Sequence, residues 1–375
     1  MKYDLLRPVF GSEDLLPMWV ADMDFEVPPF IREAIIRRAD HPVYGYTYRP
    51  ERFFQVVSDW MQRRHSWQVR TNMISFSPGI VPALNLCVMA YTEPGDRIVV
   101  QPPVYFPFFS AVSNHQRELV YNQLVEKDGV YQIDFDHLEV QFQKGVKMLF
   151  LCHPHNPVGR VWKKEELEQL AELCVRYQVL VISDEIHSDL VFTGHKHIPF
   201  ASLGREIADL TITTVSPSKT FNLAGLYTSA VIISSGDLKK RYDRILDTVH
   251  VGGGNIFGMV AMEAAYSHGE EWLDQLVVYL EQNYRALCEY LSASVPEIII
   301  SPLEATYLVW LDMSFLGLDD RQLKRFMIEE ARLGLNDGPM FGPGGEQHQR
   351  MNIAAPRKIL MKGVKRLSGA VNAAG

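Results

Sequence analysis

The chain has 375 residues, 47% of them hydrophobic and 22% charged, and carries a net charge of −8. That length and composition exclude a disordered or collagen-like chain and allow one large core with a smaller body attached. The acidic balance excludes a general affinity for nucleic acid or an anionic membrane, since both need a concentrated basic face. The opening MKYDLLRPVF lacks the apolar centre of a secretory leader and no apolar run reaches bilayer length, so cytoplasm is the expected compartment. Cys87, Cys152, Cys174 and Cys288 form no CxxC pair and are too sparse for a disulfide framework, so they are expected to be reduced and buried.

In chain order, Ser77-Pro78-Gly79-Ile80-Val81 precedes a helical stretch to Tyr91, and a glycine at a helix start lets backbone N–H groups approach an anion closely. Short β-branched runs then recur at Arg97–Gln101, Lys147–Cys152, Val179–Asp184, Leu210–Ser216 and Ser229–Ser234, and read as buried strands. Between the second and third, Lys163–Gln178 spaces Leu167, Leu170, Ala171, Cys174 and Val175 as one helical face, which predicts a strand-helix-strand unit. After Gly252–Gly254 the pattern changes to long helices over Asn255–His268 and Glu270–Ser292, a strand-like Glu304–Asp312 and a helical Asp319–Leu333. The fold class is α/β, with a second, smaller body expected in the later part of the chain.

Ligands of open α/β sheets bind beyond the carboxyl ends of the strands. There the chain places Tyr105, Asn156 in HPHNPVG, Asp184, and Ser216-Pro217-Ser218-Lys219. Singly these are ordinary residues: a surface lysine, a capping aspartate, an Asn-Pro-x-Gly turn. The glycines at 252–254 fit no GxGxxG register and no P-loop is present, which excludes dinucleotide and P-loop chemistry. Neither Cys152, His153 and His155 nor His195 and His197 has metal-ligand spacing, and turn or loop roles are expected for them.

Together, the order and spacing resemble the fold-type I pyridoxal-5'-phosphate (PLP) enzymes of the aspartate aminotransferase superfamily over nearly the whole chain. Asn156 precedes Asp184 by 28 residues and Asp184 precedes Lys219 by 35. More narrowly, WVADMDF (19–25), YGYT (44–47), SPGIVPAL (77–84), PPVYFPF (102–108), HPHNPVGRVW (153–162), SDEIHSDL (183–190), SPSKTFNLAGL (216–226) and RMNIAAPR (350–357) resemble the MalY/PatB-type cystathionine β-lyases. The resemblance implies a large PLP-binding domain over residues 41–270, with a mostly parallel central sheet flanked by helices. It also implies a smaller α+β domain from both chain ends, 1–40 and 271–375. It implies that Lys219 binds PLP as a Schiff base and then removes the substrate Cα proton. Asp184 would pair with the ring nitrogen, Asn156 with the ring hydroxyl, and Tyr105 would stack on the ring. Gly79, Ile80, Ser216 and Ser218 would serve the phosphate, joined by Tyr46 from the neighbouring subunit of a homodimer. Arg350 is the residue whose planar guanidinium matches a substrate α-carboxylate, with Asn156 beside it; alone it would be a surface ion pair. The resemblance also leads one to expect residues ahead of the segment matching Tyr3–Pro17, as a cover for the neighbouring subunit.

Two positions depart from the aminotransferase pattern and favour a lyase. His187 stands three residues after Asp184, where aminotransferases commonly have tyrosine. Tyr227 stands eight residues after Lys219, where they usually carry a cation for the phosphate, so other donors must compensate. The implied reaction is β-elimination at L-cystathionine, L-cysteine or its S-conjugates, giving a thiol, pyruvate and ammonia. An aminotransferase shares every step up to Cα deprotonation and is the second reading. A third is a regulatory PLP-binding protein acting through a protein partner, since no DNA-binding arm is present.

Overall fold

The computed structural model describes residues 1–374. Seven strands form one sheet in the order Ile74–Ser77, Ser229–Ile233, Thr211–Val215, Leu180–Asp184, Val146–Cys152, Arg97–Val100, Glu118–Tyr121. Six run the same way. Ser229–Ile233 runs antiparallel to both of its neighbours. The inner strands are buried on both faces, which is why they read in sequence as continuous apolar runs instead of alternating ones. Alternation survives in which core each residue enters. Ile98, Val100, Met148, Phe150 and Ile182 pack with the helix Ile80–Tyr91, whereas Val99, Leu149, Leu151 and Val181 pack with Lys164–Tyr177. Each such side chain stabilises the sheet by roughly 1.5–3 kcal/mol. Val146–Cys152, Lys164–Tyr177 and Leu180–Asp184 form the expected unit, its two strands parallel.

Ile256–His268 packs against Pro29–Ala39 and Glu51–His65, so the chain after Gly252–Gly254 first returns to the amino-terminal helices. A second sheet follows, in the order Ile299–Ile300, Leu308–Asp312, His348–Asn352, Asn336–Asp337. The two chain ends meet where Leu16–Pro17 pairs in parallel with Leu333–Gly334. Three expectations need correction. The strand expected from Glu304 begins at Leu308, because Glu304 and Ala305 donate their N–H groups to Gly159 O and Thr306 adopts φ +74. The helix expected to reach Leu333 ends at Glu329, and Arg332 at φ +54 turns the chain into the Leu333–Gly334 strand. Cys288 is half-buried, whereas the other three cysteines are buried and all four are free. No helix of the described residues is long and apolar enough to cross a membrane.

Candidate active site

Strand direction decides what gathers at the edge. The carboxyl ends of Ile74–Ser77, Val146–Cys152, Leu180–Asp184 and Thr211–Val215 share one edge, and the reversed strand delivers its beginning, Thr228 and Ser229, to the same place. A cavity of about 370 Å³ opens there. Gly79, Ile80, Tyr105, Asn156, Asp184, His187, Ser216, Ser218, Lys219 and Arg350 all line it. Tyr46 does not; it is fully exposed on a surface segment with Val43, Tyr44 and Tyr48.

Lys219 sits in the single helical turn Pro217–Thr220, whose start is capped by Ser216 Oγ accepting from Ser218 N–H. Its Nζ donates to Ala21 O at 2.8 Å and lies 4.0 Å from Asp22 Oδ1. Burial holds the ammonium below its ordinary range; Asp22 and Asp184 oppose that shift and Arg350 adds to it. Asp184 is 2% exposed and its Oδ1 accepts one backbone N–H, from Ile186 at 3.1 Å. Burial pushes this carboxyl up to about 7, and Glu185 adds to the rise. A carboxyl so placed calls for a cation to face it. Burial lowers His187 to about 3, helped by Lys219 and Arg350, so its ring is neutral, set edge-on to Tyr307. Tyr105 is raised to about 12 by burial and by Asp184, and stays a neutral phenol.

Arg350 is 3% exposed, which removes the surface-pair reading. Its Nη1 donates to Asn156 Oδ1 at 3.0 Å, and its Nη2 to Trp19 O at 3.0 Å and Asn336 Oδ1 at 2.6 Å. Burial brings it down to about 10, still a cation at neutral pH. Its Nε is buried without a hydrogen-bond partner among the described residues.

At the opposite end, Gly79 caps the helix Ile80–Tyr91 with φ +149, a conformation that favours glycine, and its carbonyl accepts from Ser77 Oγ at 2.7 Å. Thr228 Oγ1 and Ser229 Oγ are buried there without hydrogen-bond partners among the described residues, lining the cavity beside the exposed Tyr227. These hydroxyls escaped the sequence reading because a short apolar run does not reveal its direction. Taken as a set, a helix start beside two buried hydroxyls, a buried carboxyl and a half-buried amine fit the phosphate, ring nitrogen and aldehyde of PLP.

Also missed was the backbone of Trp19–Ala21, which lines the cavity, Trp19 O accepting from Arg350 and Ala21 O from Lys219. The histidines given turn and loop roles include three that are buried: His155 Nε2 bonds Pro103 O, and His153 stacks near His197, which bonds Glu185 at 2.9 Å. His197 packs edge-on against His65, which pairs with Asp189 at 3.0 Å, and Asp189 accepts from Thr220 Oγ1 directly behind Lys219. Among the described residues no group of three or more His, Cys, Asp or Glu is arranged to hold a metal ion.

Residues 13–366 match the family model for aminotransferase class I and II. The cystathionine beta-lyase PatB of Bacillus subtilis (strain 168) is 45% identical over 99% of this chain and 96% of its own length. Cystalysin from Treponema denticola, whose structure contains PLP, superposes with a TM-score of 0.95 at 37% identity, covering 100% of this chain and 95% of that one. The PLP-bound C-S lyase from Staphylococcus hominis gives 0.92 at 34% identity, covering 99% and 94%.

Proposed function

Since the chain belongs to the aminotransferase class I and II family, and within it to the group of the cystathionine β-lyase PatB, we propose that it cleaves the Cβ–S bond of L-cystathionine or a related S-substituted cysteine. The products are a thiol, pyruvate and ammonia. The observation that supports this most is the grouping of half-buried Lys219 with buried Asp184 and Arg350 around one cavity.

PLP, when bound, supplies an electron sink for the pair left when the Cα–H bond breaks. Lys219 would hold it covalently, Asp184 would face the ring nitrogen and Asn156 the ring hydroxyl. Tyr105 would cover the ring face. The N–H groups of Gly79 and Ile80, with the hydroxyls of Ser216, Ser218, Thr228 and Ser229, would hold the phosphate, which answers the missing cation at Tyr227 with neutral donors. Arg350, kept in place by Asn156 and Asn336, orients the amino acid through its carboxylate. The released Lys219 takes the Cα proton on Nζ. Neutral His187 adds no charge beside it, and the proton stays on this nitrogen while the thiolate leaves Cβ.

Losing a charge-assisted bond costs roughly 1.5–3 kcal/mol, so Arg350→Ala raises KM for the amino acid by about one to two orders of magnitude. Steady-state kinetics check this, and an unchanged KM removes Arg350 from the assignment. The reaction itself is tested by measuring thiol and pyruvate release from L-cystathionine with the PLP-supplied protein, with and without an added keto acid. Release without keto acid is expected; turnover only with keto acid would replace the lyase by an aminotransferase.

The protein works as a cytoplasmic homodimer in this reading. The exposed run Val43, Tyr44, Tyr46 and Tyr48 supports it, since four large apolar side chains in six residues favour a covering partner, and the partner subunit's Tyr46 would then reach the phosphate.

A further inference from the structure

The segment Trp19–Phe25 lines the cavity with Trp19, Val20 and Ala21 and is tied down on two sides. On one side Asn352 Nδ2 donates to Val20 O at 2.6 Å and Asp22 O at 2.8 Å, next to Arg350, which holds Trp19 O. On the other, Asn222, three residues after Lys219 and at φ +59, accepts from Met23 N–H and donates to Met23 O and Phe25 O, each at 3.0 Å. Ala21 O, held between these anchors, accepts from both Lys219 Nζ and Tyr307 Oη at 2.8 Å. The backbone around Asp22 is therefore fixed without help from the Asp22 side chain. Among the described residues that carboxylate accepts no hydrogen bond, and its single ion-pair contact is Lys219 at 4.0 Å. The neighbouring acid, Asp24, is taken by Lys2 at 3.0 Å.

We propose that Asp22 is a positioning residue for Lys219: it is the counter-ion that holds Nζ as an ammonium after it has taken the Cα proton. This rests on the elimination reading above. Lys219 faces charged and titratable groups from every side. Asp184 comes from the central sheet, His187 from the turn after it, Arg350 from the second sheet, Tyr307 from the residue just before the strand Leu308–Asp312 and Asp22 from the amino-terminal segment. Burial and Arg350 disfavour the ammonium. His187 and Tyr307 are neutral, being held in that form by burial. Once Asp184 faces a cationic ring, its charge is committed there, and Asp22 is the carboxylate left to balance a proton on Nζ. The proton balance is simple: one proton leaves Cα, arrives on Nζ, and Asp22 gains none.

Removing an opposite charge at this range lowers a lysine's pKa by about one unit or more, so a neutral amine appears at lower pH. In the cofactor-free protein, the pH midpoint for acetylation of Lys219 by acetic anhydride, read by mass spectrometry, falls by about one unit in Asp22→Asn and returns toward wild type in Asp22→Glu. In the PLP-loaded enzyme, Asp22→Asn lowers kcat by about tenfold with KM near wild type. The primary isotope effect from Cα-deuterated substrate grows, as proton removal becomes harder. An acetylation midpoint that does not move, or a kcat and isotope effect like wild type, overturns the assignment. If the wild-type enzyme releases no thiol, the elimination reading fails, while the midpoint still decides whether Asp22 is the counter-ion of Lys219.

Discussion

Lys219→Ala loses thiol release by at least about 10²–10⁴-fold, the contribution of a positioned proton acceptor, while remaining folded. The reasoning is local. Lys219 lies in a single helical turn whose start is capped by Ser216 and whose back is held by Thr220 donating to Asp189. None of those bonds uses the lysine side chain. Its truncation removes one hydrogen bond to Ala21 O and one distant ion pair. Against that loss stands the relief of a half-buried amine whose charged form partial burial disfavours. Thermal midpoints of the cofactor-free proteins are therefore expected to differ little, and the activity to differ greatly. A Lys219→Ala protein that releases thiol at the wild-type rate would remove this residue from the chemistry altogether.

Asp184→Asn separates stability from activity, and the two effects have opposite signs. In the cofactor-free chain the Asp184 carboxyl is pushed up to about 7 by burial, above its ordinary range in the unfolded chain. The folded state then binds this proton more tightly than the unfolded state. As pH rises through the interval between the two pKa values, unfolding is favoured by loss of that proton, and the carboxyl costs the fold free energy at neutral pH. Asparagine keeps the shape without that titration. The mutant's advantage in thermal midpoint without cofactor is thus expected to be small near pH 4, to grow as pH rises, and to level off above 7. Activity falls instead, by about 10²–10³-fold, the range for removing one pre-placed electrostatic partner in a dry site. Midpoints across pH and rates at saturating PLP check both. A mutant less stable than wild type at pH 8 would refute the burial argument.

Those two residues were visible in the sequence because each ends a run that could hardly be anything but a buried strand. Leu180–Asp184 is buried at every position, and Thr211–Val215 leads directly into Ser216 and Lys219. Runs of this type announce themselves when both faces are covered. Ile74–Ser77, with two serines in four residues, and the edge strand Glu118–Tyr121, half in solvent, do not. Direction is harder still. That Ser229–Ile233 is reversed follows from pairing with strands on both sides, and hence Thr228 and Ser229 could not be assigned to the cavity from their neighbours in the chain. Trp19–Ala21 marks a third limit. The motif WVADMDF stands out in the sequence, but Trp19 and Ala21 serve the cavity through backbone carbonyls, which every residue has, so side-chain identity says nothing of what they hold.

The two ends of the cavity also differ in how far along the chain their parts must travel. Lys219 and Ser229 are separated by one short excursion, and the hydroxyls beside the lysine arrive when a single strand reverses. Arg350 meets Asn156 across 194 residues and Trp19 across 331. Contacts of such separation carry the largest loop-closure entropy and form after the local ones. The pairing of Leu16–Pro17 with Leu333–Gly334 is what brings Trp19 to Arg350. During synthesis the side proposed for the phosphate can therefore take shape with the central sheet, while the side proposed for the substrate carboxylate waits for the last strands to emerge. A chain cut short before His348–Asn352 would keep its lysine and lose its grip on the amino acid.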